Sequence, residues 1–122
     1  MKKTKILKKN YEFRNVLSKG KYYSGDNIEA FIMKNNKNYN LLGLAVSTKI
    51  GKAVKRNMIK RLLRESYKEL EYSIEEGISI VFLWKKKINI KNATYKNIHS
   101  DMIEIFDDAK IYKKEDCIWK KS

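Results

Sequence analysis

Residues 78–84, ISIVFLW, form an almost unbroken apolar run of strand length. A strand with one wet face alternates apolar and polar side chains, so a run of this kind belongs at the centre of a sheet. The residues before it narrow the fold further. Residues 41–49, LLGLAVSTK, read as a second strand, with Leu42, Leu44 and Val46 on one face and Gly43, Ala45 and Ser47 on the other. Between the two lies a helical stretch, residues 50–70, IGKAVKRNMIKRLLRESYKEL, with Gly51 ending the strand and opening the helix. Strand, helix, strand implies a crossover between two parallel strands, and hence an α/β fold.

That helix has two unlike sides. At 100° per residue, Met58, Ile59, Leu62, Leu63 and Leu70 share a broad apolar side suited to a core. Arg56, Asn57, Lys60, Arg61, Arg64 and Lys68 fall opposite, with Lys52 just ahead of them. Glu65 is the only acid between Lys52 and Lys68. Arg56, Lys60, Arg64 and Lys68 repeat at i,i+4, where like charges destabilise an isolated helix by a few tenths of a kcal/mol per pair. A polyanion lying along the helix offsets that repulsion. A calmodulin-like partner or an acidic membrane surface also accepts a basic amphipathic helix. Neither accounts for Asn57 inside the arginine cluster. Its amide offers a donor and an acceptor, which suits a 2′-hydroxyl or a base edge better than a lipid headgroup.

The chain as a whole agrees with a polyanion partner. Its 122 residues make one domain, residues 1–122, with a net charge of +14. Lys2, Lys3, Lys5, Lys8 and Lys9 form a basic N-terminus with no apolar h-region behind them, and no run approaches the ~18 apolar residues of a membrane span. The single cysteine, Cys117, excludes an internal disulfide and fits a reducing compartment. A cytoplasmic protein without membrane attachment is expected.

The remaining elements read as follows. Residues 10–19, NYEFRNVLSK, form a helix with Asn10 as N-cap, Gly20 at C′ and a stripe of Phe13, Val16 and Leu17. Tyr22 and Tyr23 precede a turn at Ser24–Gly25–Asp26, residues 27–34 form a strand, and NNKNYN is a loop. Lys85, Lys86 and Lys87 end the central strand. Thr94 or Asn92 caps a last helix that buries Tyr95, Ile98, Met102, Ile105, Phe106 and Ala109. The ending, IYKKEDCIWKKS, adds a turn and a basic tail. The small residues Gly43, Ala45 and Ser47 leave either a shallow trough or room for a close helix.

Catalytic chemistry is hard to find. His99 is the only histidine and has no nucleophile paired with it. Asp101, Glu104, Asp107 and Asp108 share one helix and read as a solvated face rather than a Mg²⁺ site. There is no phosphate-binding glycine loop and no zinc spacing. Neither catalytic residues nor protein-borne metal ligands are expected.

The stretch Leu44–Glu65, LAVSTKIGKAVKRNMIKRLLRE, resembles the protein family of bacterial ribonuclease P, with its strand, Gly, Ala-Val and Arg-Asn-x-x-Lys-Arg-x-x-Arg pattern. Leu7–Phe13, LKKNYEF, and Gly20 extend the likeness toward the N-terminus. The resemblance implies a two-layer α/β sandwich of order αβββαβα, with a left-handed βαβ crossover around the basic helix, against the usual preference. It also implies a ribonucleoprotein in which the ribonuclease P RNA and its bound Mg²⁺ hydrolyse precursor tRNA to release the 5′ leader. The protein, inactive alone and paired 1:1 with the RNA, would bind both RNAs. Carried over residue by residue, Arg56, Asn57, Lys60, Arg61 and Arg64 contact RNA. Phe13, Leu17 and Phe31 line a leader cleft with Lys60 and Arg64 at its edge, where rings stack on bases at ~1–3 kcal/mol each without sequence choice. Two positions depart from the pattern: Leu17 stands where many relatives carry an aromatic, and Met58 replaces an arginine. The rival reading is a structural RNA-binding protein of ribosomal type, which would not need a single-strand cleft as well as a basic helix. A membrane-surface module is disfavoured because the helix needs its apolar side for the core.

Overall fold

The computed structural model describes residues 3–113. Cys117 and the basic tail expected at the chain's end lie outside them. The elements run β1 (Thr4–Ile6), α1 (Asn10–Lys19), β2 (Lys21–Ser24), β3 (Ile28–Lys34), β4 (Asn40–Ala45), α2 (Ala53–Leu70), β5 (Ile78–Trp84) and α3 (Tyr95–Ala109). From α1 onward this is the expected αβββαβα order. The addition is β1, at a place that read only as a basic N-terminus. Three residues are too few to show a period of two, and the strand exists because β4 offers an edge: Thr4, Lys5 and Ile6 pair in parallel with Asn40, Leu41 and Leu42.

The sheet order is β1-β4-β5-β3-β2. The apolar run is the central strand, parallel to β4 and antiparallel to β3. Six of its seven residues are buried, because both of its faces are covered. On one face, Leu42, Ile80, Phe82 and Trp84 join Ile59, Leu63 and Tyr67 of α2 and Ile98, Met102 and Phe106 of α3 in the main core. On the other, Val81 meets Leu7 and Val16, with Phe13, Leu17, Phe31, Leu41 and Leu83 packed round them. The α/β sandwich therefore divides its helices, α2 and α3 on one face and α1 on the other.

Local chemistry moves several boundaries. β4 stops at Ala45, and a 3-10 turn at Thr48–Ile50 intervenes before α2 begins at Ala53. Strand and helix are thus separated by a Ser47-capped turn, in which Ser47 Oγ accepts from the Lys49 amide at 3.2 Å, rather than by Gly51 alone. Lys9, not Asn10, is the N-cap of α1, and Glu12 reaches back to its amide at 3.2 Å. Gly20 is not left-handed, with φ −73°. It is small because a Cβ there would lie 2.5 Å from the Val16 carbonyl oxygen and 3.3 Å from the Phe31 Cβ. Thr94 caps α3, its Oγ1 accepting from the Asn97 amide at 3.2 Å. Tyr95 faces solvent and stacks on His99 at 5.1 Å, instead of entering the core.

Two residues of α2 outside the apolar set read from the sequence lie in the core. Ser66 is fully buried and bonds His99 Nδ1 at 2.8 Å, joining α2 to α3. Tyr67 ends a buried polar chain: its hydroxyl lies 2.7 Å from Thr4 Oγ1 and accepts from Asn40 Nδ2 at 3.2 Å, while Thr4 Oγ1 donates to Glu71. This chain ties β1 to α2 across the edge of the sheet. Burial pushes the Tyr67 hydroxyl above the usual tyrosine pKa.

Candidate nucleic-acid interface

The basic helix is built as its periodicity required. Ile59, Leu63 and Tyr67 are buried, and Met58, Leu62 and Leu70 pack round them. Lys52, Asn57, Arg61, Arg64 and Lys68 are exposed, and Arg56 and Lys60 half-buried. Arg61 approaches Glu65 at 3.9 Å, an exposed pair of little worth. Among the described residues, the other bases of this helix have no acid within ion-pair reach. Arg56 turns back on its own helix start, donating to the Gly51 carbonyl at 2.8 Å, so it stiffens the loop while keeping its charge at the surface. Val54, at the same end, is 80% exposed. The result is a strip of uncompensated positive charge along α2.

The face under α1 can be read as rows across the sheet, because register places paired residues abreast. The middle row is Gly43, Val81, Phe31 and Tyr22; the next is Ala45, Leu83, Glu29 and Ser24. α1 lies over the middle row, its Phe13 ring against Gly43. The row beyond it stays open and forms a trough of about 760 Å³, lined by Tyr22, Glu29, Ala45, Ser47 and Leu83, with Lys85, Lys86 and Lys87 along its end. Small residues at 43 and 45 thus serve both readings left open by the sequence: Gly43 admits the helix, and Ala45 leaves the trough. Tyr22 was missed as a cleft residue. Its ring packs 5.3 Å from Phe31, and it is half-exposed. Its hydroxyl donates to Glu29, a bond that favours the protonated phenol and raises its pKa. Alternation in β2 and β3 could have found it, since Tyr22 and Phe31 are register partners.

Phe13, Leu17 and Phe31 come together, but as packing between α1 and the sheet, and none of them lines the trough. Lys60 and Arg64 are not among the residues lining the trough, and the apolar side of α2 packs on the opposite face of the sheet. A helix wheel places residues around one axis and says nothing about which side of a sheet that axis lies on. The cationic end of the trough is instead Lys85–Lys87, three lysines that read only as the end of a strand. Asp101, one of the four acids on the last helix, is buried and accepts from the Asn27 amide at 2.8 Å and from Asn27 Nδ2 at 3.1 Å. It holds the β2–β3 turn, and is thereby separated in role from the exposed Glu104, Asp107 and Asp108. Among the described residues, no three His, Cys, Asp or Glu side chains converge as metal ligands. No helix there is long and apolar enough to cross a membrane.

This fold and its surfaces define a basic α/β domain with a strip of positive charge along one helix and a trough ended by three lysines. The chain belongs to the ribonuclease P protein family, whose model, Ribonuclease P, matches residues 1–110. It is 43% identical over 113 residues to the Ribonuclease P protein component of Clostridium botulinum (strain Loch Maree / Type A3), covering 92% of this chain and 99% of that one. Its likeness to the Clostridium kluyveri protein of the same name is 39% over 109 residues, 88% and 96% of the two chains. Among solved structures, the Staphylococcus aureus RNase P protein superposes with a TM-score of 0.77 at 28% identity, covering 88% of this chain and 97% of that one. The Thermotoga maritima RNase P protein does so with 0.73 at 25% identity, covering 82% and 93%. Membership in this family carries an RNA partner and a part in tRNA processing.

Proposed function

We propose that this chain is the protein subunit of a ribonuclease P holoenzyme, and that its two basic surfaces divide the work. The exposed bases of α2, with Asn57 among them, bind the ribonuclease P RNA by neutralising phosphates. The trough holds the 5′ leader of precursor tRNA as a single strand. Tyr22, its ring backed by Phe31, stacks on a base, Ala45 and Leu83 form an apolar floor, and Lys85–Lys87 draw the phosphates. A base presents a π-face whatever its identity, so this surface accepts many leader sequences. The carrying observation is that α1 covers only the middle row of its sheet face and leaves the next row open beside three lysines. A purely structural RNA binder has no use for that opening.

Phosphodiester hydrolysis, in this reading, belongs to the RNA and its Mg²⁺, with one protein per RNA in the cytoplasm. The protein contributes by raising the local concentration of the leader and by lowering repulsion between the two RNAs. The test is cleavage of precursor tRNA by the cognate RNA at low Mg²⁺, with and without the protein. Strong stimulation, with the protein alone inactive, is expected. Tight RNA binding without stimulation would transfer the chain to the structural RNA binders.

A further inference from the structure

We infer that the part of the sheet face on the other side of α1 carries a second site for single-stranded RNA, separate from the trough. The row there, Leu41, Ser79 and Met33, floors a cavity of about 580 Å³, walled by Leu7 and Val16. It lies four residues down the strands from Ala45 and Leu83, about 13 Å at strand spacing. α1 stands between the two openings. This inference goes beyond the leader assignment and rests on the RNA-binding reading of the chain.

Three features identify the ligand. The first is aromatic. Tyr11 lines the cavity, is 59% exposed, and has Lys9 Nζ 5.7 Å from its ring centre. Tyr39, in the same turn region, is flanked by Lys5 Nζ at 4.5 Å and Lys37 Nζ at 5.6 Å. An exposed ring with an ammonium beside it offers a stacking face and a phosphate contact together. The second is charge. Lys34 and Lys37 line the cavity, and its one acid, Glu12, is committed to capping α1 through the Lys9 amide. The third is polar reach. Asn15 and Asn36 line the opening from the helix and from the turn, and their side-chain amides make no hydrogen bond among the described residues. By contrast Asn35 is occupied, donating to the Tyr39 carbonyl at 3.3 Å and to Ser79 Oγ at 3.1 Å and accepting from the Lys37 amide at 2.8 Å. It holds the turn and leaves its neighbours to meet a base edge.

The experiment is a titration of ¹⁵N-labelled full-length protein with hexauridylate at physiological salt, followed by amide chemical shifts. The expected result is two separate groups of shifts, one at Tyr22, Leu83 and Lys86 and one at Tyr11, Asn15 and Asn36. Tyr11→Ala, at a half-exposed position where folding is not at stake, should weaken the second group's affinity by about five-fold or more and leave the first unchanged. Shifts confined to the trough would overturn the second site and leave the leader reading intact. Shifts only at Tyr11, Asn15 and Asn36 would uphold the second site and remove the trough assignment. An abasic oligomer that reproduces the second group of shifts would also overturn the inference, reducing the surface to charge alone.

Discussion

The Phe13 ring occupies the space that a side chain at Gly43 would need: a Cβ there would lie 2.7 Å from Phe13 Cε1 and 3.0 Å from a Leu7 methyl carbon. This pair sets how closely α1 approaches the sheet, and so how much of the sheet face remains open on either side of it.

Gly43→Ala is therefore expected to destabilise the fold by about 1–3 kcal/mol, the usual cost of overpacking a close contact. Urea denaturation measures it. In a Phe13→Leu background the same substitution should cost clearly less, since the offending ring is gone. Equal costs in both backgrounds would mean that Phe13 is not the contact that matters.

The two surfaces should separate in binding. Tyr22→Ala should weaken the holoenzyme's affinity for precursor tRNA by about 1–3 kcal/mol for the lost stack and leave mature tRNA almost unaffected. Arg61→Ala or Arg64→Ala should weaken binding to the ribonuclease P RNA itself, and so affect both substrates alike. Filter binding with the two tRNA forms distinguishes these patterns. A selective loss of precursor binding in Arg64→Ala would return that residue to the leader cleft.

Salt should act mainly through α2. If about five phosphates are neutralised, the logarithm of the RNA affinity falls with the logarithm of salt at a slope near −4, roughly 10²–10³-fold between 50 and 200 mM. Removing one base from the helix should reduce that slope by about one. A flat salt response measured by anisotropy would contradict the electrostatic assignment of this helix.

Alkaline pH should expose the buried tyrosine. Burial raises the Tyr67 pKa in the folded chain above its unfolded value of about 10, so the native state retains its proton more firmly. The stability it contributes is complete below pH ~10 and is lost as pH rises through the raised value. Tyr67→Phe should make the alkaline fall shallower. Near neutrality it should cost about 1–3 kcal/mol, because Asn40 Nδ2 and Thr4 lose a buried partner. Thermal melts of both proteins across that range provide the comparison.

Much of this architecture is legible in local pattern. The continuous run at 78–84 can be satisfied only where both faces are covered, and β5 occupies those seven residues at the sheet's centre. The 3.6-residue period of α2 determines which bases are exposed, because burying Ile59, Leu63 and Tyr67 leaves Arg61, Arg64 and Lys68 in water. The length and spacing of the stretch from Leu44 to Glu65 were specific enough to mark the family. What local pattern cannot carry is the side of the sheet on which each helix lies. That choice put the apolar side of α2 and the cluster of Phe13, Leu17 and Phe31 on opposite faces, brought Lys85–Lys87 to the trough, and made a partner of Tyr22 for Phe31. Likewise β1 exists only because the edge of β4 is there to receive it, and Asp101 is buried only because the turn carrying Asn27 reaches it. Periodicity is a property of one segment and its own axis, whereas strand pairing and helix placement arise from contacts between distant segments. The sequence alone therefore determined the elements, the charged helix and the family; tertiary packing decided which surfaces face a common ligand.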